Sequence, residues 1–317
     1  MNSANEKSGR MLKVNFIATQ VLLITSAVSS FQPIIPFKNS QLSRSATMMM
    51  AQGGPPKYNK RPATITSNLE VGRASHLITV KPDDDEAIDY HAGHVVALEI
   101  KDPQSIAEEK WLVGPYTVTR ANATSFDVLY RVVGDKTEKF SALKPGSIAQ
   151  FGGKFKVPIL EGINPEGLDR VIGVSTGVGA GPLIGFAEEA LSKLEGPSTR
   201  IDLYVGFREE DDICCRDALD ALAEAHPKHF SWTPILSSVN GRSSSLYNLE
   251  LLSKSVSPAP GATHYHLVGN GAMVNEWKAG LVDADVPDIR VTSEIYFNHK
   301  IPASDEVVKQ IGKMIKR

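Results

Sequence analysis

The chain has 317 residues, a formal net charge of −2, 42% hydrophobic and 22% charged residues. That balance is typical of a globular protein and lies away from disordered and membrane compositions, and the length holds two ordinary domains plus an N-terminal leader. The two cysteines, Cys214 and Cys215, are adjacent. Neighbouring thiols rarely bridge and two cannot hold a cluster that needs four, so redox chemistry in this chain calls for an organic cofactor.

The first fifty residues read as a leader. Lys7, Arg10 and Lys13 precede an apolar stretch, Val14 to Val28, interrupted by Asn15, Thr19 and Gln20. The stretch is too short and too broken for a membrane span, and small residues at Ser26–Ser30 suit signal peptidase. No acidic residue falls between Glu6 and Glu70, while Lys38, Arg44, Lys57, Lys60 and Arg61 do. A signal peptide (1–30) followed by an acid-free, Ser-rich transit peptide (31–50), with Phe31 at the junction, resembles the bipartite plastid leader of algae such as diatoms. The simpler alternative is a secretory signal with an unstructured tail. Without residues 1–50 the chain keeps 29 basic and 35 acidic residues, a net charge of −6. That acidity speaks against nucleic acid or an anionic membrane as partner.

Residues 51–62 are rich in Gly, Pro and Lys and read as a linker. From residue 63 to 166 short β-rich runs alternate with turn signals: His76–Val80, Val95–Ile100, Tyr116–Thr119 and Phe126–Val133. No helical period exceeds a turn or two. Such spacing predicts an antiparallel β-barrel, with a sandwich as the alternative.

The next domain, 167–300, carries the sharpest motif. Arg170-Val-Ile-Gly-Val-Ser175 is a short apolar β run, followed by Thr176-Gly-Val-Gly-Ala-Gly-Pro182 and an apolar helical pattern from Leu183 to Leu194. A strand, a glycine loop and a helix in this order make a phosphate site. Gly177 and Gly179 let backbone approach a pyrophosphate, the helix N-terminus offers free amides, and Pro182 fits the helix's first turn. The domain is therefore expected to be an α/β, Rossmann-like parallel sheet.

Together these segments resemble the ferredoxin-NADP⁺ reductase superfamily over residues 63–300. His91-Ala-Gly-His-Val-Val-Ala-Leu98 resembles its Pro-Gly-Gln-Phe-Val segment, and Gly114-Pro-Tyr-Thr-Val118 its Arg-x-Tyr-Ser/Thr motif. Gly134–Gly146 resembles the flavin-pyrophosphate segment. The resemblance implies FAD in the barrel, with Tyr116 stacked on the flavin and Thr117 near its N5. Val118, Lys136 and Thr137 fall at flavin-binding positions. Gly114 stands where the family has an Arg that contacts the phosphates; Arg120, Lys136, Lys139 or nearby amides are the candidate replacements.

In the second domain the family's Thr-Gly-x-Gly-x-x-Pro pattern matches Thr176, Gly177, Val178, Gly179 and Pro182. Ile201–Arg208 resembles the next strand with its Gly-x-Arg ending at Arg208. Asp211–Leu222 resembles the following helix, which would place both cysteines on a structural helix. Ser237 matches a Leu-Ser-Arg strand end whose Arg is here Ser238, and Arg242, in a hydroxyl-rich loop, suits the 2′-phosphate of NADP over NAD. Gly269, Asn270 and Met273 fall in the segment flanking the nicotinamide, where Val268 replaces the family's Cys. His264 and His266, one strand repeat apart, have no third ligand at metal spacing and read as packed residues or part of an exposed face.

Val291–Phe297 resembles the last strand. The resemblance places Tyr296 or Phe297 over the flavin, and either Glu294 or a hydroxyl such as Thr117 is the candidate relay for the N5 proton. A helical extension, 301–317, follows, with Ser304 as its cap and Lys313, Lys316 and Arg317 at its end. The implied activity is hydride transfer between NAD(P)H and FAD, with electrons passed to an outside acceptor. The segment Lys101–Lys110, with Asp102, Glu108 and Glu109, is acidic rather than basic and leaves the identity of that acceptor open. The alternative, motivated by Gly114, Ser238 and Val268, is a binding or assembly protein that keeps the fold without turnover.

Overall fold

In the computed structural model, residues 58–105, 110–193, 199–240, 263–297 and 305–315 are described. The leader, the Arg242 loop, Glu108, Glu109 and Ser304 lie outside them, as do Lys316 and Arg317.

Six antiparallel strands close into a barrel: β1 (Arg61–Gly72), β2 (Ser75–Pro82), β3 (Val95–Lys101), β4 (Trp111–Ala121), β5 (Phe126–Arg131) and β6 (Ile148–Gly152). Their order is β1-β2-β5-β4-β3-β6, with β6 returning to β1. Closure leaves no edge strand, which is how a small antiparallel sheet buries one whole face. Alternate residues point inward: Ala63 and Ile65 from β1, Ile78 and Val80 from β2, Val96, Leu98 and Ile100 from β3, and Phe126 and Val128 from β5. The barrel expectation holds and the sandwich does not. One short helix, α1 (Asp135–Ser141), seals an end by burying Phe140, and Asn68 Nδ2 donates to the Phe140 carbonyl at 2.9 Å. A short helix α2 (Ile159–Gly162) lies in the connection to the second domain.

That domain is a five-stranded, wholly parallel sheet: β7 (Arg170–Thr176), β8 (Arg200–Phe207), β9 (Phe230–Leu236), β10 (Thr263–Asn270) and β11 (Val291–Phe297). The order β11-β10-β7-β8-β9 reverses direction between β7 and β10, so the crevice beyond their carboxyl ends is the topological switch point. Helices α3 (Ala180–Lys193) and α4 (Arg216–Ala225) cover one face. Helices α6 (Gly271–Asp283) and α7 (Asp305–Ile315) cover the other, where Trp277 and Ile311 are fully buried; a one-turn α5 (Ser237–Asn240) ends β9. No helix among the described residues is long and apolar enough to cross a membrane.

Barrel and sheet belong to one compact unit, Gln52–Arg317. Two of the contacts that join them involve α3 and the β1–β2 hairpin. Helix α3 lies on β4 so closely that a Cβ on Gly181 would sit 2.7 Å from Thr119 Oγ1, and one on Gly185 would run into the Thr119 carbonyl. At the tip of the β1–β2 hairpin, the Arg73 guanidinium grips Asp212 in a fork, with both N···O distances 2.9 Å, while the Arg73 amide donates to the Asp211 carbonyl. Planar guanidinium-to-carboxylate pairing of this kind fixes orientation as well as distance.

This second contact corrects the helix expected over Asp211–Leu222. Residues 210–212 form a 3₁₀ turn and Cys215 is left-handed, with φ of 55°, so α4 starts only at Arg216. The cysteines precede the helix instead of riding on it. Both are buried, which pushes the Cys215 thiol up to about 11 and Cys214 higher still. Thiols held protonated are poor nucleophiles.

Candidate functional site

The glycine loop follows directly from β7. Gly177 takes φ of +53° and a Cβ there would meet nothing within 4 Å, so its outer side is open. Gly177–Gly179 form a 3₁₀ turn leading into α3, whose first turn includes Pro182. Backbone amides at the start of a 14-residue helix, with open space above a glycine, make an anion cradle. Gly179 packs under β10: a Cβ on it would lie 3.0 Å from the Val268 carbonyl. Across the switch point, the Asn270 amide donates to Thr176 Oγ1 at 2.9 Å, and Asn270 Oδ1 caps α6 by accepting from the Ala272 amide. Gly269 has φ of +125°, and a Cβ on it would collide with the Thr176 hydroxyl. The ends of β7 and β10 are thus stitched together beneath the loop.

Barrel strand β4 faces this crevice. Tyr116 stacks on Phe140 with ring centroids 5.4 Å apart, and burial raises its phenol to about 12. Lys136 Nζ lies 5.9 Å from the Tyr116 ring centre, donates to the Val113 carbonyl at 3.3 Å, and sits 2.9 Å from where a Cβ on Gly114 would be. The other basic candidates are engaged elsewhere: Lys139 with Asp102 at 2.6 Å, Arg120 with Glu188 at 3.3 Å and Asp127 at 3.7 Å. Lys136 therefore places a cation at the spot the missing residue-114 side chain would leave.

Thr117 Oγ1 donates to Glu294 Oε1 at 2.8 Å, joining β4 of the barrel to β11 of the sheet. Glu294 is buried, and Lys156 Nζ approaches the same oxygen at 3.4 Å. Tyr296 is partly buried beside this pair. Burial first, then the Glu294 charge, push its phenol well above the ordinary value, against a hydrogen bond with Thr117. Thr117 of β4 thus meets Glu294 and Tyr296 of β11 at one point. Phe297 ends β11, two places further along than Ile295, and its backbone pairs with Asn270.

Other expected residues lie elsewhere. Val118 is fully buried in the barrel core, and its amide is taken by the His94 carbonyl. The Thr137 hydroxyl is spent on the amides of Val133 and Gly134. Met273 is packed under α6 with Ile172 and Trp277. Arg208 is exposed, 3.8 Å from Glu209, and Ser237 starts α5. Val178 is buried in the loop. Lys156 is not legible as a site residue in the sequence: one lysine in a glycine- and lysine-rich connection carries no signal of the glutamate it faces.

The architecture, a closed antiparallel barrel meeting a parallel sheet at its switch point, defines a two-domain ferredoxin-reductase-like fold. Comparison with known proteins agrees. Residues 174–278 match the oxidoreductase NAD-binding domain. A cytochrome P450 reductase of Amycolatopsis is 21% identical, with a TM-score of 0.58 over 78% of this chain and 73% of that one. The ferredoxin-NADP⁺ reductase of Plasmodium falciparum is 16% identical, with a TM-score of 0.57 over 75% of this chain and 97% of that one. That of Neisseria gonorrhoeae, solved with FAD and NADP bound, is 16% identical, with a TM-score of 0.58 over 75% of this chain and 99% of that one. At such identities the likeness is one of fold. No curated protein matches the chain in sequence.

Proposed function

We propose that the chain is an NAD(P)H-dependent flavoprotein oxidoreductase that takes hydride from the nicotinamide nucleotide onto FAD and passes electrons to an outside acceptor. The observation that carries this reading is the Thr117–Glu294 hydrogen bond, which brings the barrel's hydroxyl and the sheet's buried carboxylate together beside the switch point.

The residues fit both groups. Tyr116 offers a partly exposed ring with its other side on Phe140, as a flat ring system needs. Lys136 supplies a cation for the flavin phosphates in place of the arginine absent at Gly114. The open side of Gly177 and the amides at the start of α3 suit the pyrophosphate of NAD(P)H. The names of similar structures, reductases of ferredoxin-NADP⁺ and cytochrome P450 type, and the FAD and NADP in one of them, support the same cofactors. Arg242 favours NADP over NAD on its chemistry alone.

When bound, the flavin supplies the two-electron chemistry. The chain's own part is to align the two rings and exclude water, with Tyr296 as the cover that the nicotinamide displaces. Thr117 can donate or accept at its hydroxyl, and Glu294 holds or releases the matching proton. We place the protein in a plastid, on the strength of the acid-free leader with Phe31 at its junction. The acceptor is a protein or small molecule of unassigned chemistry.

A second reading, a nucleotide-binding protein without turnover, draws on Gly114 and Val268. Purified residues 51–317 separate the two. The oxidoreductase is yellow as isolated or after adding FAD, and its flavin absorbance bleaches with NADPH. A colourless protein that takes up no FAD overturns the enzyme reading.

A further inference from the structure

His264 and His266 are the titratable groups that the proposed chemistry leaves unused. They alternate on one face of β10, with Val268 the next residue on that face, and are buried, at 0% and 5% exposure. Both rings turn to a single hydroxyl on the neighbouring strand: His264 Nε2 lies 2.8 Å and His266 Nδ1 2.7 Å from Thr292 Oγ1. Their other nitrogens, His264 Nδ1 and His266 Nε2, are buried without a partner among the described residues. Two orphaned ring nitrogens are a cost that packing alone does not explain, since two apolar side chains of similar size would fill the same space. A metal is a poor explanation, because no group of three potential ligands occurs among the described residues.

The shared hydroxyl couples the rings. A threonine hydroxyl has one proton, so when it donates to one ring it can only accept from the other. One ring then carries its proton on the nitrogen facing Thr292, and the other carries it on its orphaned nitrogen. The next residue on the same face of β11, one strand repeat beyond Thr292, is Glu294, with Lys156 3.4 Å from its carboxylate. The charge of Lys156 also acts on His266, while Arg290 acts on His264 at the other end. Polar groups therefore run along the β10–β11 seam from Arg290 to the Thr117–Glu294 pair.

We propose that His264, Thr292 and His266 form a buried proton relay that serves Glu294, resting on the oxidoreductase reading above for its purpose. The exchange balances as one proton taken up from water at His264 and one given up at His266. A proton arriving at His264 Nδ1 lets His264 Nε2 pass its own to Thr292, whose hydroxyl proton moves to His266 Nδ1. His266 Nε2, which makes no hydrogen bond among the described residues at rest, then gives up its proton, and Glu294, one strand repeat beyond Thr292, is the next proton acceptor along the seam. Each ring ends in its other tautomer, and the reverse passage carries a proton outward. Burial and the cations Lys156 and Arg290 keep both rings neutral at rest, so the file stays poised to hand a proton on.

Nitrogen-15 NMR of histidine-labelled residues 51–317 tests the arrangement without any cofactor. Because Thr292 faces Nε2 of His264 and Nδ1 of His266, the relay requires the same tautomer at both rings, both Nε2–H or both Nδ1–H; opposite tautomers in the wild-type chain overturn it. Thr292→Val, which keeps the shape and removes the hydroxyl, uncouples the tautomers, and Thr292→Ser retains the coupling. In the flavin-loaded protein, proton uptake on mixing with NADPH, followed with an indicator dye, slows on the order of tenfold in Thr292→Val and stays near wild type in Thr292→Ser. Coupled tautomers with unchanged proton uptake overturn the relay while leaving the oxidoreductase intact. Failure to bind flavin removes the oxidoreductase reading but leaves the tautomer result standing.

Discussion

Thr117 and Glu294 are 177 residues apart in sequence, yet the hydroxyl of one donates to the carboxylate of the other at 2.8 Å across the two domains. The bond does two jobs, since it ties barrel to sheet and sets a proton donor against a buried acceptor. Replacing Thr117 by Val leaves the buried carboxylate short of a partner. The expected loss is about 2 kcal/mol of stability, the scale of a hydrogen bond to a charged group. Chemical denaturation of residues 51–317 measures it. NADPH-driven reduction of an added acceptor falls on the order of a hundredfold in the same variant.

Gly269 gives a prediction specific to the nucleotide side. Its φ of +125° is one that L-residues avoid, and its missing Cβ makes room for the Thr176 hydroxyl that accepts from Asn270. Gly269→Ala is strained in the backbone and pushes Thr176 out of the switch point. We expect a stability loss of about 1–3 kcal/mol. NADP⁺ affinity, read by isothermal calorimetry, falls with it, while FAD uptake by the barrel is retained.

How far the sequence carries can be seen from these residues. The strand, glycine loop and helix around Thr176–Pro182 are local, so their pattern is legible before any fold is known. The barrel's alternation is legible for the same reason, because each strand writes its own inside and outside. The start of α4 is not. Asp212 is drawn out of the expected helix by Arg73, 139 residues earlier, and Cys215 turns left-handed to let the chain pass. Thr117 and Glu294 were each recognisable as polar residues at family positions, but nothing local gives their pairing or the approach of Lys156. Val118, Thr137 and Met273 stand at motif positions, yet the barrel core, a helix cap and the layer under α6 claim their side chains.

Helix α3 shows a similar long-range signal in Gly181 and Gly185, four residues apart and so on one face of the helix. In an isolated helix each glycine costs about 1 kcal/mol against alanine. Here the Gly185 Cα rests against the Thr119 carbonyl of β4, and a methyl group has nowhere to go. Gly185→Ala is expected to destabilise the chain by about 2 kcal/mol or more despite the gain in helix propensity. It also opens the seam between α3 and the barrel. Hydrogen exchange at the Leu129 amide, which donates to Thr119 Oγ1, reads that opening directly.

The Arg73–Asp212 fork makes a pH prediction. Hydrogen bonding to the guanidinium holds the Asp212 carboxyl below its ordinary value of 3.8. A carboxyl lowered on folding contributes its stability in full above the unfolded value and loses it as pH falls through the folded one. The contribution is therefore constant from pH 8 to about pH 5 and fades below pH 4. Asp212→Asn flattens the acid limb of the stability curve below pH 4, and an unchanged limb refutes the assignment.

His264 and His266 act in a higher window and with a different origin. Burial lowers their ring pKa values from 6.5 to about 4 and about 3, helped by Arg290 at His264 and by His264 and Lys156 at His266. Between pH 6.5 and 4 the unfolded chain therefore binds protons that the folded chain refuses, and stability rises with pH across that interval. Above pH 6.5 the contribution is complete, and below about pH 3 it changes no further. The shift at His264 alone corresponds to roughly 3 kcal/mol, which is large against the total stability of a folded domain. Urea midpoints measured from pH 7 to pH 5 should fall steeply, above the range in which ordinary exposed carboxylates protonate. His264→Gln and His266→Gln each reduce that slope, because a neutral amide binds no proton in either state. A wild-type midpoint that stays level down to pH 5 would mean the rings are not held neutral, and the coupled file along β10 and β11 would lose its physical basis.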